Sequence, residues 1–215
     1  IFPPMNDFQH NLFSTPLWIS NRDDNEFNDK VASLAYKFRD NAVNAGLVSD
    51  GWSDFEKSSS QEDFKSKGVT SYYSDNLATN PEWKEVVISI LDQAEQTLGS
   101  EYKLGMENMW TTIYPEEGFI PKHTHPGSTV SGVYYVKAEE ECGNIEFEDP
   151  AWLVKQSIHY YNNPNPKLPK AINFWVEPTP GRMVLFPAYL PHSTKPNKSG
   201  KDRIILSFNL YFLKQ

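Results

Sequence analysis

The chain has 215 residues, a formal net charge of −8 at pH 7 and a sequence pI near 5.1. We expect no duplex nucleic acid partner, because such binding depends on clustered lysine and arginine and no basic cluster occurs. The single cysteine, Cys142, excludes an internal disulfide framework and a cysteine-rich zinc site. Any bound metal therefore depends on imidazole or carboxylate ligands.

The sequence contains no long apolar run of the kind that spans a membrane. Residues 1–5 lack the basic flank and the apolar core of a signal peptide. We therefore expect a cytoplasmic protein with no membrane partner.

The first predicted helix lies near the amino terminus. Apolar residues recur at helical spacing from Phe27 to Ala42, and Gly46 is placed to end the helix. The polar stretch 53–67 that follows has the composition of an exposed loop.

A second amphipathic helix is predicted from the apolar series between Trp83 and Ala94. Asn80 is a suitable cap, Pro81 suits the first helical position, and Gly99 marks the end. The helical patterns are therefore confined to the first hundred or so residues.

From Asn108 the apolar pattern changes to a period of two, which predicts strands. The strands are predicted at 109–114, 130–136, 143–147, 172–176, 183–186 and 204–212. We predict a mainly β (α+β) fold: a double-stranded β-helix, that is, a jelly roll or cupin-like barrel, flanked by N-terminal helices. A single domain spans 1–215, with 1–105 as the mostly helical flank and 106–215 as the jelly-roll core. The proline-rich segment 160–170 is predicted to be a loop over one mouth of the barrel.

Three of the five histidines form a pattern typical of a metal site. His123 and His125 stand two residues apart, so on a strand both imidazoles point to one face. A jelly roll can bring His192, at the end of a distant strand, to the same ion and leave the opposite face open for chemistry. The alternative is that these histidines are structural.

Arg203 opens the last predicted strand and suits a carboxylate ligand, because its guanidinium donates in a fixed fork. Ser207 projects to the same face of that strand and is a candidate for the same carboxylate. The alternative for Arg203 is a surface ion pair with Asp202 or with another acid. Tyr134 and Tyr135 alternate in direction, so only one of them points into the barrel, as core packing or as a hydroxyl donor.

These motifs resemble those of the Fe(II)- and 2-oxoglutarate-dependent dioxygenases, in particular a branch found in bacteria and phages. That branch has a His-x-His-Pro, a Ser-Gly-Val-Tyr-Tyr strand and a late Phe-Pro-x-x-x-x-His, here at 123–126, 131–135 and 186–192. The segment 12–18 also resembles the start of that branch. A phage-encoded member would act in the host cytoplasm.

The resemblance implies a dioxygenase, expected to be a hydroxylase, that uses Fe(II), 2-oxoglutarate and molecular oxygen on a peptide or small-molecule substrate. It places the metal on His123 and His192, and the far carboxylate of 2-oxoglutarate on Arg203 and Tyr135. His125 stands where most of the superfamily has a carboxylate. It either binds the metal or turns away and leaves that position to water.

The nearby acids Glu146, Glu148 and Asp149 have no ligand spacing and are predicted to be sheet-face or turn residues. Cys142 has no basic neighbour in sequence that would lower its pKa, and no role is predicted for it.

The sequence is compatible with two other functions. Cupins resemble the chain at Gly118 before His-x-His and at Gly181 and Pro187 before the later histidine, although the usual cupin glutamate is missing. A cupin-type three-histidine metalloenzyme gives Arg203 no fixed role. A non-catalytic jelly-roll binding module would instead use exposed aromatic residues such as Trp175 as a recognition surface.

Overall fold

The computed structural model describes residues 14–44, 69–72, 75–152 and 173–214. Two helices and nine strands lie in these ranges. They are β1 (Trp18–Asn21), α1 (Asn25–Asn44), β2 (Val69–Thr70), α2 (Lys84–Leu98), β3 (Leu104–Tyr114), β4 (Val130–Lys137), β5 (Ile145–Glu148), β6 (Asn173–Val176), β7 (Arg182–Pro187), β8 (His192–Thr194) and β9 (Arg203–Phe212). None of the described helices is long and apolar enough to cross a bilayer.

Both helices begin and end on local signals that the sequence contains. The Asp24 carboxylate accepts a hydrogen bond from the backbone N–H of Phe27 at the start of α1. Asn80 caps the 3-10 turn Pro81–Trp83 that leads into α2, as predicted. The predicted helix end at Gly99 is also confirmed, because its N–H bonds the carbonyl of Glu95. Gly46 and the predicted loop 53–67 lie outside the described residues.

The strands form two antiparallel sheets, a six-stranded sheet in the order β1-β7-β4-β9-β3-β2 and a three-stranded sheet in the order β6-β5-β8. The long central strands β3, β4 and β9 pair over most of their length. Outside the named strands, His123 forms an isolated antiparallel bridge with His192 on β8. This double-sheet arrangement confirms the predicted double-stranded β-helix with helices at its flank.

Alternation along the strands separates two cores. One lies between the helices and the outer face of the large sheet, where Trp83 and Ile90 pack in one cluster with Phe208. The other fills the space between the two sheets and includes Phe147 from the small sheet and Phe186 from the large one. The functional residues lie at this second core, so the helices support the barrel from behind and do not line the site.

Strands β1, β2 and β8 were not predicted, and β3 begins at Leu104, before the predicted start of the barrel. β1 and β2 have only four and two residues and lie at the two edges of the large sheet, where they pair with β7 and β3. Such short edge strands have too few residues for a clear alternation of apolar and polar side chains. The segment 160–170, residue 172 and residues 12–13 lie outside the described part.

Candidate active site

The barrel brings His123, His125 and His192 together. One ring nitrogen from each lies within 4.8 Å of the others. The backbone sets this arrangement, because His123 and His192 exchange two hydrogen bonds, N–H to carbonyl, of 2.9 and 3.0 Å. The backbone N–H of His125 bonds the carbonyl of Ala188 at 2.9 Å, which fixes the second histidine of the pair to the loop after β7.

Two of the three imidazoles are oriented by a second hydrogen bond. The Nδ1 of His123 lies 2.8 Å from the carbonyl oxygen of Pro121, and the Nδ1 of His192 lies 2.9 Å from that of Leu190. A carbonyl only accepts, so each Nδ1 carries the proton and each Nε2 keeps its lone pair. This is the arrangement of metal-ligating histidines.

His125 is held less firmly. Its Nε2 lies 3.3 Å from the Nε2 of His192, and its ring packs 5.8 Å from that of Trp110. Its Nδ1 has no hydrogen-bond partner among the described residues. No backbone carbonyl therefore orients the His125 ring, and without a metal its Nε2 can donate a hydrogen bond to the lone pair of His192.

All three histidines favour the neutral form that binds a metal. Burial lowers the pKa of His123, and burial followed by repulsion from His123 lowers the pKa of His125 to about 4. The same two causes, burial first, lower the pKa of His192 to about 3. Near neutral pH the cluster therefore presents three uncharged imidazoles.

Arg203 lies in the same cavity as the histidines and is almost completely buried, with 1% of its surface exposed. It makes no ion pair with a carboxylate within the described ranges. The predicted alternative partner, Asp202, instead accepts a hydrogen bond from the Tyr36 hydroxyl at 2.8 Å. The alternative hypothesis, that Arg203 forms a surface ion pair with an acid, is therefore wrong.

Neutral groups surround the Arg203 guanidinium. Nη1 donates to the carbonyls of Cys142 and of Gly143, the latter at 2.8 Å, and Nη2 donates to the Thr194 hydroxyl at 3.1 Å. The guanidinium carbon also lies 4.4 Å from the centre of the Tyr114 ring, a cation-π distance. A buried cation held only by neutral groups is a strong site for an anion.

Tyr134 and Tyr135 point to opposite faces of β4, as predicted. The Tyr134 hydroxyl donates to the side-chain oxygen of Asn28 at 2.7 Å, behind the large sheet. Tyr135 lines the cavity, and its hydroxyl is buried without a hydrogen-bond partner among the described residues. Burial raises the pKa of Tyr135, so the hydroxyl is a protonated donor. Ser207 lines the same cavity.

The donors in this cavity are suited to a carboxylate-bearing cosubstrate. Within the described part of the chain the Nε of Arg203 is also buried without a partner, so a guanidinium N–H and a phenol O–H are both unpaired in one cavity. Buried donors without acceptors are rare in folded proteins, and each calls for an explanation. A bound carboxylate would satisfy both.

The nearby acids do not belong to the site. Glu146 pairs with Lys195 at 3.1 Å and Glu148 pairs with Lys122 at 2.9 Å. Their assignment to the face of the sheet is consistent with these pairs.

Several residues of the site were not found from the sequence. Thr194, Tyr114 and the carbonyls of Gly118, Cys142 and Gly143 all contact Arg203. The sequence could have indicated Thr194, because it stands two residues after His192 and therefore faces the same side of β8. The sequence could not have indicated the carbonyls, since every residue has one and only the fold determines which of them contact Arg203.

Comparison with known proteins places the fold and the site in one class. Residues 108–209 match the family described as "Putative 2OG-Fe(II) oxygenase". This range contains the three histidines, Arg203, Tyr135 and Ser207. The barrel and its histidine cluster are therefore similar to those of a non-haem metal-dependent oxygenase.

The match covers just under half of the chain, so it is the barrel, with its histidine cluster, that is similar to the Fe(II)- and 2-oxoglutarate-dependent oxygenases. The matched family is described as one of oxygenases that use Fe(II) and 2-oxoglutarate, and the three histidines of this chain could hold such an ion. This similarity favours the oxygenase hypothesis over the cupin and over the non-catalytic binding module. No curated protein matches the sequence.

Solved structures share the fold at low sequence identity. A prolyl-4-hydroxylase from Pseudomonas putida is 15% identical with a TM-score of 0.57, and the alignment covers 94% of this chain and 95% of that one. AviO1 from Streptomyces viridochromogenes Tue57 is 15% identical with a TM-score of 0.58, over 90% and 89% of the two chains. SnoK, a non-haem α-ketoglutarate-dependent carbocyclase from nogalamycin biosynthesis, is 12% identical with a TM-score of 0.57, over 91% and 79%.

Proposed function

We propose that His123, His125 and His192 bind the Fe(II) ion, that Arg203, Tyr135 and Ser207 bind the far carboxylate of 2-oxoglutarate, and that the enzyme hydroxylates a peptide or small molecule. The observation that carries this proposal is the buried Arg203. It has no acidic partner in the described part of the chain and shares a cavity with three neutral imidazoles.

When bound, the iron supplies the oxidative chemistry, in which 2-oxoglutarate is converted to succinate and carbon dioxide while one oxygen atom enters the substrate. The protein supplies position and charge. His123 and His192 present fixed Nε2 lone pairs, and Arg203 supplies the positive charge that an incoming dianion needs. With three neutral ligands the ion keeps its full 2+ charge, which strengthens its attraction for that anion.

The cavity walls favour the exclusion of water. Ile120, Val133, Ile145, Phe186 and Ile205 line the space between the histidines and Arg203. Electrostatic attraction between the guanidinium and a carboxylate is stronger in such surroundings than in water. The walls therefore help to hold the anion in place.

Hydroxylation is the outcome we propose among those possible on this fold. The Pseudomonas putida prolyl-4-hydroxylase shares the architecture over nearly the whole of both chains, which supports a hydroxylase of a peptide or small molecule. The carbocyclase SnoK has the same fold, so the fold alone is compatible with a different oxidative outcome. The substrate decides between these outcomes.

An anaerobic titration tests the cofactor assignment. Fe(II) is added to the metal-free protein, then 2-oxoglutarate, and the visible charge-transfer band of the complex is followed. We expect one equivalent of each to bind. Arg203→Gln should weaken 2-oxoglutarate binding at least about thirtyfold, because a buried charge contact is lost.

Arg182→Gln is the matched control. The Arg182 guanidinium donates to the side chain of Asn21 and to the Glu177 carbonyl and does not line the cavity. Wild-type protein that binds no 2-oxoglutarate in the presence of Fe(II), or equal affinity in the Arg203 and Arg182 variants, would reject the proposal. Succinate formation in air then provides the screen for candidate peptides and small molecules.

A further inference from the structure

A row of three polar side chains crosses the large sheet on the face that lines the cavity. Asn108 on β3 and Ser131 on β4 are both paired in register with Asn209 on β9. Trp110, two residues after Asn108, and Phe186, the partner of Ser131 on β7, both line the cavity. Ser131 and Asn209 are buried, with 1% and 4% of their surfaces exposed. Buried polar side chains on a barrel wall need hydrogen-bond partners.

The row is a directed chain of hydrogen bonds that ends at Asn108. The Ser131 hydroxyl donates to the side-chain oxygen of Asn209 at 2.7 Å, and the Asn209 amide donates to the side-chain oxygen of Asn108 at 2.8 Å. The Asn108 oxygen is thereby used as an acceptor, and its nitrogen carries two N–H donors. Neither donor has an acceptor within the described ranges. Asn108 is only half-buried, so a ligand can reach these donors.

The row lies far from the arginine end of the cavity. Asn209 stands six residues after Arg203 on β9, which corresponds to about 20 Å along an extended strand. A molecule of 2-oxoglutarate whose far carboxylate lies at Arg203 is too short to span this distance. The free donors of Asn108 therefore suit a different ligand from the one that Arg203 binds.

An aromatic wall stands beside the row. The Trp110 ring lies on the same face as Asn108, one turn of the strand alternation closer to Arg203, and its centre is 5.8 Å from that of His125. The Tyr72 ring meets Trp110 edge to face at 4.9 Å and is half exposed. The wall therefore runs from the histidine cluster to the protein surface. A ligand that follows it is extended, which favours a peptide over a compact small molecule.

We propose that Asn108 and Trp110 bind the substrate, and that this substrate is a peptide. A backbone carbonyl of the peptide accepts a hydrogen bond from the Asn108 amide, and a neighbouring side chain packs on Trp110 next to the histidines. This inference rests on the proposed function and narrows its substrate to one class. Ser131 and Asn209 are positioning residues, because their hydrogen bonds hold the Asn108 amide with its N–H groups towards the ligand.

The probe is a library of pentapeptides with varied sequence, acetylated and amidated at their ends. It is incubated without oxygen with protein that holds Fe(II) and 2-oxoglutarate, so that bound peptides are not consumed. Mass spectrometry identifies the retained peptides, and calorimetry measures the dissociation constant of the one that binds most tightly. Wild-type protein should retain a defined set of sequences.

Asn108→Asp should weaken binding of that peptide at least about fivefold, because aspartate still accepts from Asn209 and lacks the N–H donors. Asn173→Asp is the matched control, since it adds the same charge at an exposed asparagine on the edge strand of the small sheet. It should leave the dissociation constant unchanged. Trp110→Leu should weaken binding about tenfold through loss of the ring contact. Trp175→Leu removes an exposed tryptophan from β6 and should have no effect.

A second peptide separates direct donation from a structural role of Asn108. Each peptide bond in turn is replaced by a trans alkene, which keeps the shape of the chain and removes the carbonyl. At the position that Asn108 contacts, the alkene should weaken binding to the wild type, and Asn108→Asp should then cause no further loss. A residue that only supports the fold, or acts only through its charge, would instead lower the affinity for both peptides equally.

Three results would overturn the proposal: retention of no peptide by the loaded wild-type protein, equal binding by wild type and Asn108→Asp, or wild-type affinity in Trp110→Leu. An equal loss with the parent and alkene peptides would also contradict direct donation by Asn108. Binding of Fe(II) and 2-oxoglutarate is measured before the peptides are added. Its failure would reject the proposed function itself and is therefore distinct from a failure of the peptide assignment.

Discussion

The Nε2 atoms of His125 and His192 lie 3.3 Å apart. Two imidazole ligands, each about 2.1 Å from one ion, have nitrogen atoms roughly 3.0 to 3.4 Å apart for ligand angles between a right angle and the tetrahedral angle. The observed separation therefore suits shared coordination. Without a metal the same distance allows His125 to donate a hydrogen bond to His192, so this contact alone does not make His125 a ligand.

We predict that His125→Ala weakens Fe(II) binding at least about tenfold, whereas His192→Ala abolishes stoichiometric binding. His192→Ala removes a lone pair whose direction is fixed by the bond between the ring and the Leu190 carbonyl. His125→Ala removes a ring that no backbone carbonyl orients. Competition with a coloured chelator under anaerobic conditions measures the affinity. His125→Asp, which supplies a carboxylate instead, should retain iron. Wild-type affinity in His125→Ala would place water at that coordination position.

Gly143→Ala should weaken 2-oxoglutarate binding and destabilise the protein. Gly143 has a φ of +89°, and an added Cβ would lie 2.3 Å from the Lys195 carbonyl oxygen and 2.8 Å from the Nη1 of Arg203. The control is Gly200→Ala, because Gly200 has a φ of +70° but open space around the added Cβ. Both variants should lose about 1 kcal/mol or more from backbone strain. Only Gly143→Ala should change the dissociation constant for 2-oxoglutarate, and equal constants would remove Gly143 from the support of Arg203.

The adjacent tyrosines provide a matched pair of variants. Tyr134→Phe loses a buried bond to Asn28 and should lower the free energy of unfolding by about 1 to 2 kcal/mol without affecting 2-oxoglutarate. Tyr135→Phe removes a hydroxyl that has no partner in the described ranges, so stability should not fall, while 2-oxoglutarate binding weakens about tenfold. Chemical denaturation and the anaerobic titration measure the two quantities. The opposite pattern would mean that Tyr135 is a packing residue.

The metal-free protein should lose stability as the pH falls from about 6.5 towards 4. Burial lowers the pKa of His125 to about 4 and that of His192 to about 3, whereas both titrate near 6.5 in an unfolded chain. Between these values the unfolded chain takes up protons that the folded protein does not. The stabilisation is therefore complete above pH 6.5 and falls below it, by on the order of 1 kcal/mol per pH unit for each histidine.

Urea unfolding in the presence of a chelator, at pH 7, 6 and 5, measures this dependence. The double variant His125→Gln and His192→Gln lacks both titrating groups and should show a shallower decline. Parallel curves for the two proteins would show that these histidines do not account for the pH dependence.

The sequence predicted the parts of the site that depend on side-chain type. His123 and His125 are recognisable by their spacing, and the predicted face-sharing of Arg203 and Ser207 on β9 agrees with their place in one cavity. Strand alternation, a local property, accounts for Arg203 and Ser207, which lie on β9. His123 and His125 were predicted to lie on a strand, but both lie outside the named strands and are placed by backbone bonds to His192 and Ala188. The roles of these residues in binding remain predictions.

The surroundings of Arg203 were beyond sequence reasoning because they are built from backbone carbonyls. Cys142, for which the sequence indicated no role, contributes its carbonyl to the guanidinium, and its thiol has no part in that contact. Gly118 and Lys195 reach the same group from two other loops. The burial of Arg203 likewise depends on tertiary packing, which is why an ion pair with Asp202 was a reasonable alternative from the sequence alone.

The backbone bridge between His123 and His192 has a consequence for how the enzyme acquires its metal. Since main-chain hydrogen bonds and the Pro121 and Leu190 carbonyls orient these two rings, their geometry does not need an ion to assemble it. Imidazole donors bind several divalent transition ions, and copper and zinc generally bind more tightly than iron. We therefore expect metal supply to influence which ion occupies the site, and protein purified aerobically should carry a competitor that the growth medium provides.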